Sequence, residues 1–250
     1  FGLRYQSISY DQLANGHLAQ SGARVLVLPY CVALSPAEVG AIREWVKQGG
    51  TLVADLQTAI MDGHGKMYPK PELDDVFGID RSRVVWWEPE KDETVTAAPQ
   101  KAQGSPGLPI KMAQAGIRGP AQPLWTVTRN DGSASAVFHN AFGQGHAYYF
   151  ATDLFSGYQD ALGKADDKYA PKRMQFLYEL FDQILAGAGL KPQVTVRIKD
   201  PKTGQPGAHC PWIWPGLKKS GETRFLILQR NYGTSTASLE DVPVTIQFRD

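Results

Sequence analysis

The chain has 250 residues, 42% of them apolar and 10% aromatic, enough for a sizeable core in one large domain or in one domain with a smaller companion. Lys and Arg number 26 against 25 Asp and Glu, and no basic block with interleaved aromatics occurs, which argues against a nucleic-acid partner. No run approaches the roughly 18 apolar residues of a membrane span, and two cysteines, Cys31 and Cys210, cannot make a disulfide framework.

Leu3, Tyr5 and Ile8 form a loosely strand-like start, and Asp11–Gly16 reads as one helical turn ended by Asn-Gly. The organising stretch is Ala23–Thr58, a strand, a helix and a second strand that make one βαβ unit. Val25-Leu26-Val27-Leu28 is an uninterrupted apolar run, as expected for a parallel strand covered on both faces, and Pro29 ends it. Ser35 caps a helix, Pro36 takes its first position and Glu38 closes the capping box. Val39, Ile42 and Val46 make its buried stripe, Gly49-Gly50 releases it, and Thr51–Ala54 re-enters the sheet.

Met61–Lys66 is then a loop, Pro71–Gly78 a short helix, and Arg83–Glu88 a strand; Glu88–Pro109 is an excursion of loops and short strands. Pro123–Arg129 and Ala134–His139 flank a hairpin turn at Asn130–Ser133. A second turn at Phe142–Gly145 leads into a strand at His146–Thr152, so 123–152 reads as an antiparallel meander. Pro171–Ala188 is an amphipathic helix. After the composition shift at Gly187–Pro192, strand-like runs at Val194–Lys199, Thr223–Gln229 and Val242–Arg249 look like part of a β sandwich. The expected division is 1–189 and 190–250. Phe1 in place of Met, and the stop at Asp250 beside a strand-like run, read as cuts in a longer polypeptide. Low cysteine usage fits the cytoplasm and the periplasm or a secreted protein equally, so the compartment stays open.

Open α/β sheets bind ligands outside the carboxyl ends of their strands, which singles out Cys31, Asp55, His64 and Asp153. A thiol enzyme with Cys31 as nucleophile and His64 as base needs a lowered thiol pKa and a tight elbow. Instead Cys31 is followed by Val32-Ala33-Leu34, and no Gly-x-Cys-x-Gly occurs, so an inert thiol is the favoured reading. The histidines His17, His64, His139, His146 and His209 lack metal spacing, although His139 and His146 could face each other across a hairpin. Asp55 and Asp153 could approach one another, but no glycosidase pair follows from that, and Asp74-Asp75 and Asp166-Asp167 read as solvated faces. Trp86-Trp87 and the pair Trp212 and Trp214 are either sugar-stacking platforms or core and interface anchors, the second being favoured. Gly143-Gln144-Gly145 is a turn and not a phosphate cradle, because no helix follows it. No cofactor or metal is expected.

The run VLVLPYCVALSPAEVGAIREWVKQGGTLVAD resembles the β-galactosidase trimerisation domain, the middle domain of family 42 glycoside hydrolases. The residues that carry the likeness are Leu28-Pro29, Leu34-Ser35 and Gly49-Gly50-Thr51-Leu52-Val53. It continues more loosely through Pro71–Ile79 and returns at Asn140–Gly145 and Tyr148–Asp153, covering roughly 1–190. The resemblance implies a flavodoxin-like, class I glutamine amidotransferase-like three-layer α/β sandwich with a small C-terminal all-β domain. In amidotransferases the place matching Ala54-Asp55-Leu56-Gln57-Thr58 bears the catalytic cysteine, which is absent here. Family 42 enzymes carry their catalytic glutamates on a (β/α)8 barrel that this chain does not contain.

The resemblance therefore implies a non-catalytic assembly module of a larger glycoside hydrolase. Its partners would be further copies of itself, a trimer being one form, and a missing catalytic barrel. Two alternatives remain at this stage: an amidotransferase-like small-molecule hydrolase using Cys31, Asp55, His64 and Asp153, and a carbohydrate-binding module using Trp212 and Trp214.

Overall fold

The computed structural model describes residues 5–88, 95–100, 107–130, 132–153, 170–200, 202–210, 213–230 and 243–248. The chain divides into two compact units, Ser7–Gly157 and a second made of Phe1–Gln6 with Tyr158–Asp250.

The first unit is a mixed α/β body built on a seven-stranded sheet. In chain order its elements are helices α1 (Tyr10–Ala14) and α2 (His17–Gln20), strand β1 (Val25–Leu28), helix α3 (Pro36–Lys47), β2 (Thr51–Asp55) and helix α4 (Asp74–Phe77). Strands β3 (Val85–Trp87), β4 (Thr96–Pro99), β5 (Leu108–Pro109), β6 (Ala113–Ala115), β7 (Gln122–Arg129), β8 (Gly132–Phe142) and β9 (Gly145–Phe150) follow. The sheet order is β1-β2-β9-β8-β7-β4-β5, with β3 and β6 paired separately. The βαβ unit forms as its sequence dictates, since β1 and β2 are parallel from Val25↔Thr51 to Leu28↔Ala54. Strand β9 then adds in parallel to β2 and pairs antiparallel with β8, joining the βαβ unit to the meander.

Helix α3 starts where its cap requires. The Ser35 hydroxyl accepts the Glu38 N–H at 3.4 Å, and the Glu38 carboxylate accepts the Ser35 N–H at 2.7 Å. Ser9 and Gln12 close the same box on α1, whose helical turn falls one residue before the sequence suggests; residues 5–9 precede it without strand structure. Val39, Ile42, Trp45 and Val46 of α3 join Leu13, Leu18, Val76 and Phe77 of the other helices over Leu26, Leu28, Leu52, Ala54, Ala147 and Tyr149 of the sheet. The opposite face of β1 is less covered than its unbroken apolar run predicts. Strand β1 is the sheet edge and Val27 is 43% exposed.

The β8–β9 turn seats against the end of α3. Gln144 N–H donates to Lys47 O at 2.9 Å and His146 N–H to Gly50 O at 3.1 Å. That approach needs a glycine at 145, where a Cβ would lie 2.1 Å from Val46 O and 2.3 Å from Gly50 O.

In the second unit, helix α5 (Ala170–Gly187) accompanies β10 (Val194–Lys199), β11 (Pro206–His209), β12 (Ile213–Ser220), β13 (Thr223–Arg230) and β14 (Val244–Phe248). These strands form an antiparallel sheet β11-β10-β14 and a β12–β13 hairpin. Helix α5 is fixed to β11: His209 Nε2 lies 3.0 Å from Asp182 Oδ2, its ring stacks on Tyr178 at 4.5 Å, and its N–H donates to Gln175 Oε1 at 3.2 Å. The helix therefore groups with the C-terminal strands, whereas the sequence boundary at 189/190 placed it with the first domain. No described helix is long and apolar enough to cross a membrane.

Gly145→Ala is expected to cost about 1–3 kcal/mol in denaturant unfolding, because backbone atoms cannot yield to the new methyl group. Gly40→Ala on the exposed face of α3, where nothing lies within 4 Å of the added Cβ, is expected to be neutral or to gain up to about 1 kcal/mol.

Candidate functional site

The carboxyl edge of β1, β2 and β9 is where an α/β sheet offers a ligand site. Here it is filled by the protein's own side chains. Asp55 ends β2 with no exposed surface; its Oδ1 accepts the Tyr30 N–H at 2.6 Å, while its Oδ2 is buried without a hydrogen-bond partner. Burial, with Asp153 nearby adding repulsion, pushes the Asp55 carboxyl up to about 6, against the opposing pull of the Tyr30 N–H. Asp153 is also buried and accepts N–H groups from Lys111, at 3.1 and 3.3 Å, and Met112, at 3.2 Å. It thus pins the segment between β5 and β6 to the end of β9. Between them in the chain, Thr152 Oγ1 is likewise buried without a partner.

Cys31 lies half-buried beyond β1. Burial raises its thiol pKa, and the carboxylates Asp55 and Glu38 raise it further, the reverse of what a nucleophilic thiolate needs. His64 stands apart on the exposed Asp62–Lys66 turn, where its backbone N–H donates to Asp62 Oδ1 at 2.9 Å. The structure therefore brings Asp55 and Asp153 together, sets Cys31 beside Asp55, and leaves His64 out. Of the aromatic candidates, Trp212 lies outside the described residues. Trp214 is 38% exposed on β12, where it lies near Tyr178, His209 and Cys210.

The most elaborate polar arrangement contains a residue that sequence reasoning did not single out. Arg81 is 4% exposed, and each of its side-chain nitrogens has a hydrogen-bond partner within this unit. Its Nε donates to Asp74 Oδ1 at 2.6 Å, Nη1 to Thr58 O at 2.8 Å and Nη2 to Glu72 O at 3.0 Å, while its N–H donates to Asp74 Oδ2 at 3.1 Å. The guanidinium also lies 5.0 Å from the Tyr149 ring centroid and 3.4 Å from that hydroxyl, which donates to Gln114 Oε1. Asp74, predicted on a solvated face, is thus 2% exposed and ion-paired, because α4 turns its first residue inward. Asp75 follows the prediction and meets Arg43 at the surface at 2.9 Å. Asp166 and Asp167 lie outside the described residues.

Backbone strain marks the same region. Tyr30, Gln57 and Ala59 hold left-handed φ values of 49°, 65° and 56°. Nothing in the sequence signalled this, since none is a glycine or asparagine. Among the described residues, no group of three or more His, Cys, Asp or Glu side chains is placed to hold a metal ion.

Asp55 carries a consequence for pH. Its carboxyl pKa is higher folded than unfolded, so its protonated form favours folding; that stability is complete below about pH 4 and is lost as pH rises through about 6. The loss amounts to about 3 kcal/mol from the shift alone. Asp55→Asn is expected to remove this dependence, so the stability of the variant relative to the parent rises between pH 4 and pH 7. Unfolding curves at several pH values check this, and a constant difference would count against it.

The comparisons place this geometry among known proteins. No curated protein sequence matches the chain. Solved structures share the fold at low identity. Gan42B, a GH42 β-galactosidase from G. stearothermophilus, aligns with a TM-score of 0.57 at 16% identity over 82% of this chain and 26% of its own. A cold-adapted β-galactosidase from Rahnella sp. R3 aligns at 0.57 and 19% over 84% and 27%, and the β-galactosidase from Bacillus circulans sp. alkalophilus at 0.56 and 17% over 83% and 27%. The chain thus spans about a quarter of the length of these enzymes. The family described as the β-galactosidase trimerisation domain matches residues 8–168, well over half of the chain, and to that family the chain belongs.

Proposed function

We propose that this chain is a non-catalytic assembly module of a larger β-galactosidase-like glycoside hydrolase, and that it mediates subunit association. The family match over residues 8–168 carries the reading. The carboxyl edge supports it: the acids there are buried and bonded to backbone, Cys31 sits beside carboxylates, and His64 stands apart. These features speak against the hydrolase reading.

In this proposal the α/β sheet is a flavodoxin-like, class I glutamine amidotransferase-like sandwich, and the stretch Ala54–Thr58 that matches a relative's nucleophile-bearing turn holds Gln57 at φ 65°. An assembly domain in the first unit is followed by a small β domain whose strands carry α5. The partners are further copies of the chain, three being the number in the family's name, and a catalytic (β/α)8 barrel of the parent enzyme. A net charge of only +1 leaves little repulsion between copies.

Sedimentation velocity over a hundredfold concentration range tests the reading. A species of three times the monomer mass that grows with concentration is expected, and a monomer at every concentration would overturn it.

A further inference from the structure

His139 of β8 and His146 of β9 project from one face of the sheet. His139 is registered with Tyr148 and His146 with Ala141, so each histidine is two residues from the other's cross-strand partner. The face is the one opposite the helices, since Ala147 and Tyr149, which alternate with His146 and Tyr148 along β9, belong to the helix-covered core. Across this diagonal, His139 Nε2 lies 3.1 Å from His146 Nδ1. Tyr148 stacks on the His139 ring at a centroid distance of 4.7 Å and braces it. Both histidines are half-buried on strands joined by a two-residue turn, so the pair is held rigidly while one side reaches solvent.

Two imidazole nitrogens bound at about 2.0–2.1 Å to one ion stand about 2.9 Å apart at a right angle and about 3.3 Å apart at the tetrahedral angle. The observed 3.1 Å falls between these. We propose that His139 and His146 form a two-imidazole chelate for a borderline divalent transition-metal ion such as Cu2+ or Zn2+. Ligand type sets this class, since imidazole favours these ions over Mg2+ or Ca2+. With no third His, Cys, Asp or Glu in the group among the described residues, water completes the coordination shell.

The test uses the intact, unmodified chain. Substoichiometric Cu2+, a paramagnetic ion, is added while the ring-proton resonances of the five histidines are followed. Selective loss of the His139 and His146 signals is expected. Even broadening over His17, His64 and His209, or no selective effect, would overturn the proposal by leaving only a pair that shares a proton. As a second readout, His139→Gln and His146→Gln, each shown by circular dichroism to be folded, are expected to weaken Cu2+ binding about tenfold or more. Unchanged affinity in the double variant would overturn the site.

Discussion

The buried pair Arg81–Asp74 is the constraint on which the first unit depends. One guanidinium gathers the loop after β2 through Thr58 O, the approach to α4 through Glu72 O, α4 itself through Asp74, and the central strand β9 through Tyr149. These segments would otherwise be loops over a sheet edge. An ion pair at 1% and 2% side-chain exposure is weak evidence for net stability, because desolvating both charges offsets much of their attraction. Its value lies in specification. With either partner removed, a full charge would remain in the core, so alternative packings of α4 and the loop after β2 are penalised.

The same arrangement fills the carboxyl edge with the protein's own side chains. Tyr149 and Arg81 fill the region beneath the strand ends, Asp153 is spent on backbone N–H groups, and Asp55 lies under Tyr30. The turns at this edge hold Tyr30, Gln57 and Ala59 at left-handed φ values, a strain that the surrounding packing sustains.

The readable parts of the fold were those fixed by short-range chemistry. Ser35 and Glu38 mark the start of α3 whatever surrounds it, and Asn130 with its neighbours marks a hairpin, since caps and tight turns depend on neighbouring residues. The parallel addition of β9 to β2 was not legible, because strand partners far apart in sequence leave no local trace. Two errors came from treating local pattern as environment. Val27 was assigned to a covered strand from its apolar neighbours, yet edge position is a property of the whole sheet. Asp74 was assigned to solvent from its acidic neighbour, yet its partner lies seven residues on and is buried with it. Among the candidate residues, the meeting of His139 and His146 was foreseeable because both flank the Gly143-Gln144 turn. The isolation of His64 was not, because a loop of glycines does not state where it points.

The most direct test is a double-mutant cycle on unfolding free energy with Arg81→Met and Asp74→Leu. A specifying buried pair predicts that each single change costs about 3–5 kcal/mol and that the double variant recovers a large share of the summed loss. Single costs below about 1 kcal/mol that simply add would contradict it.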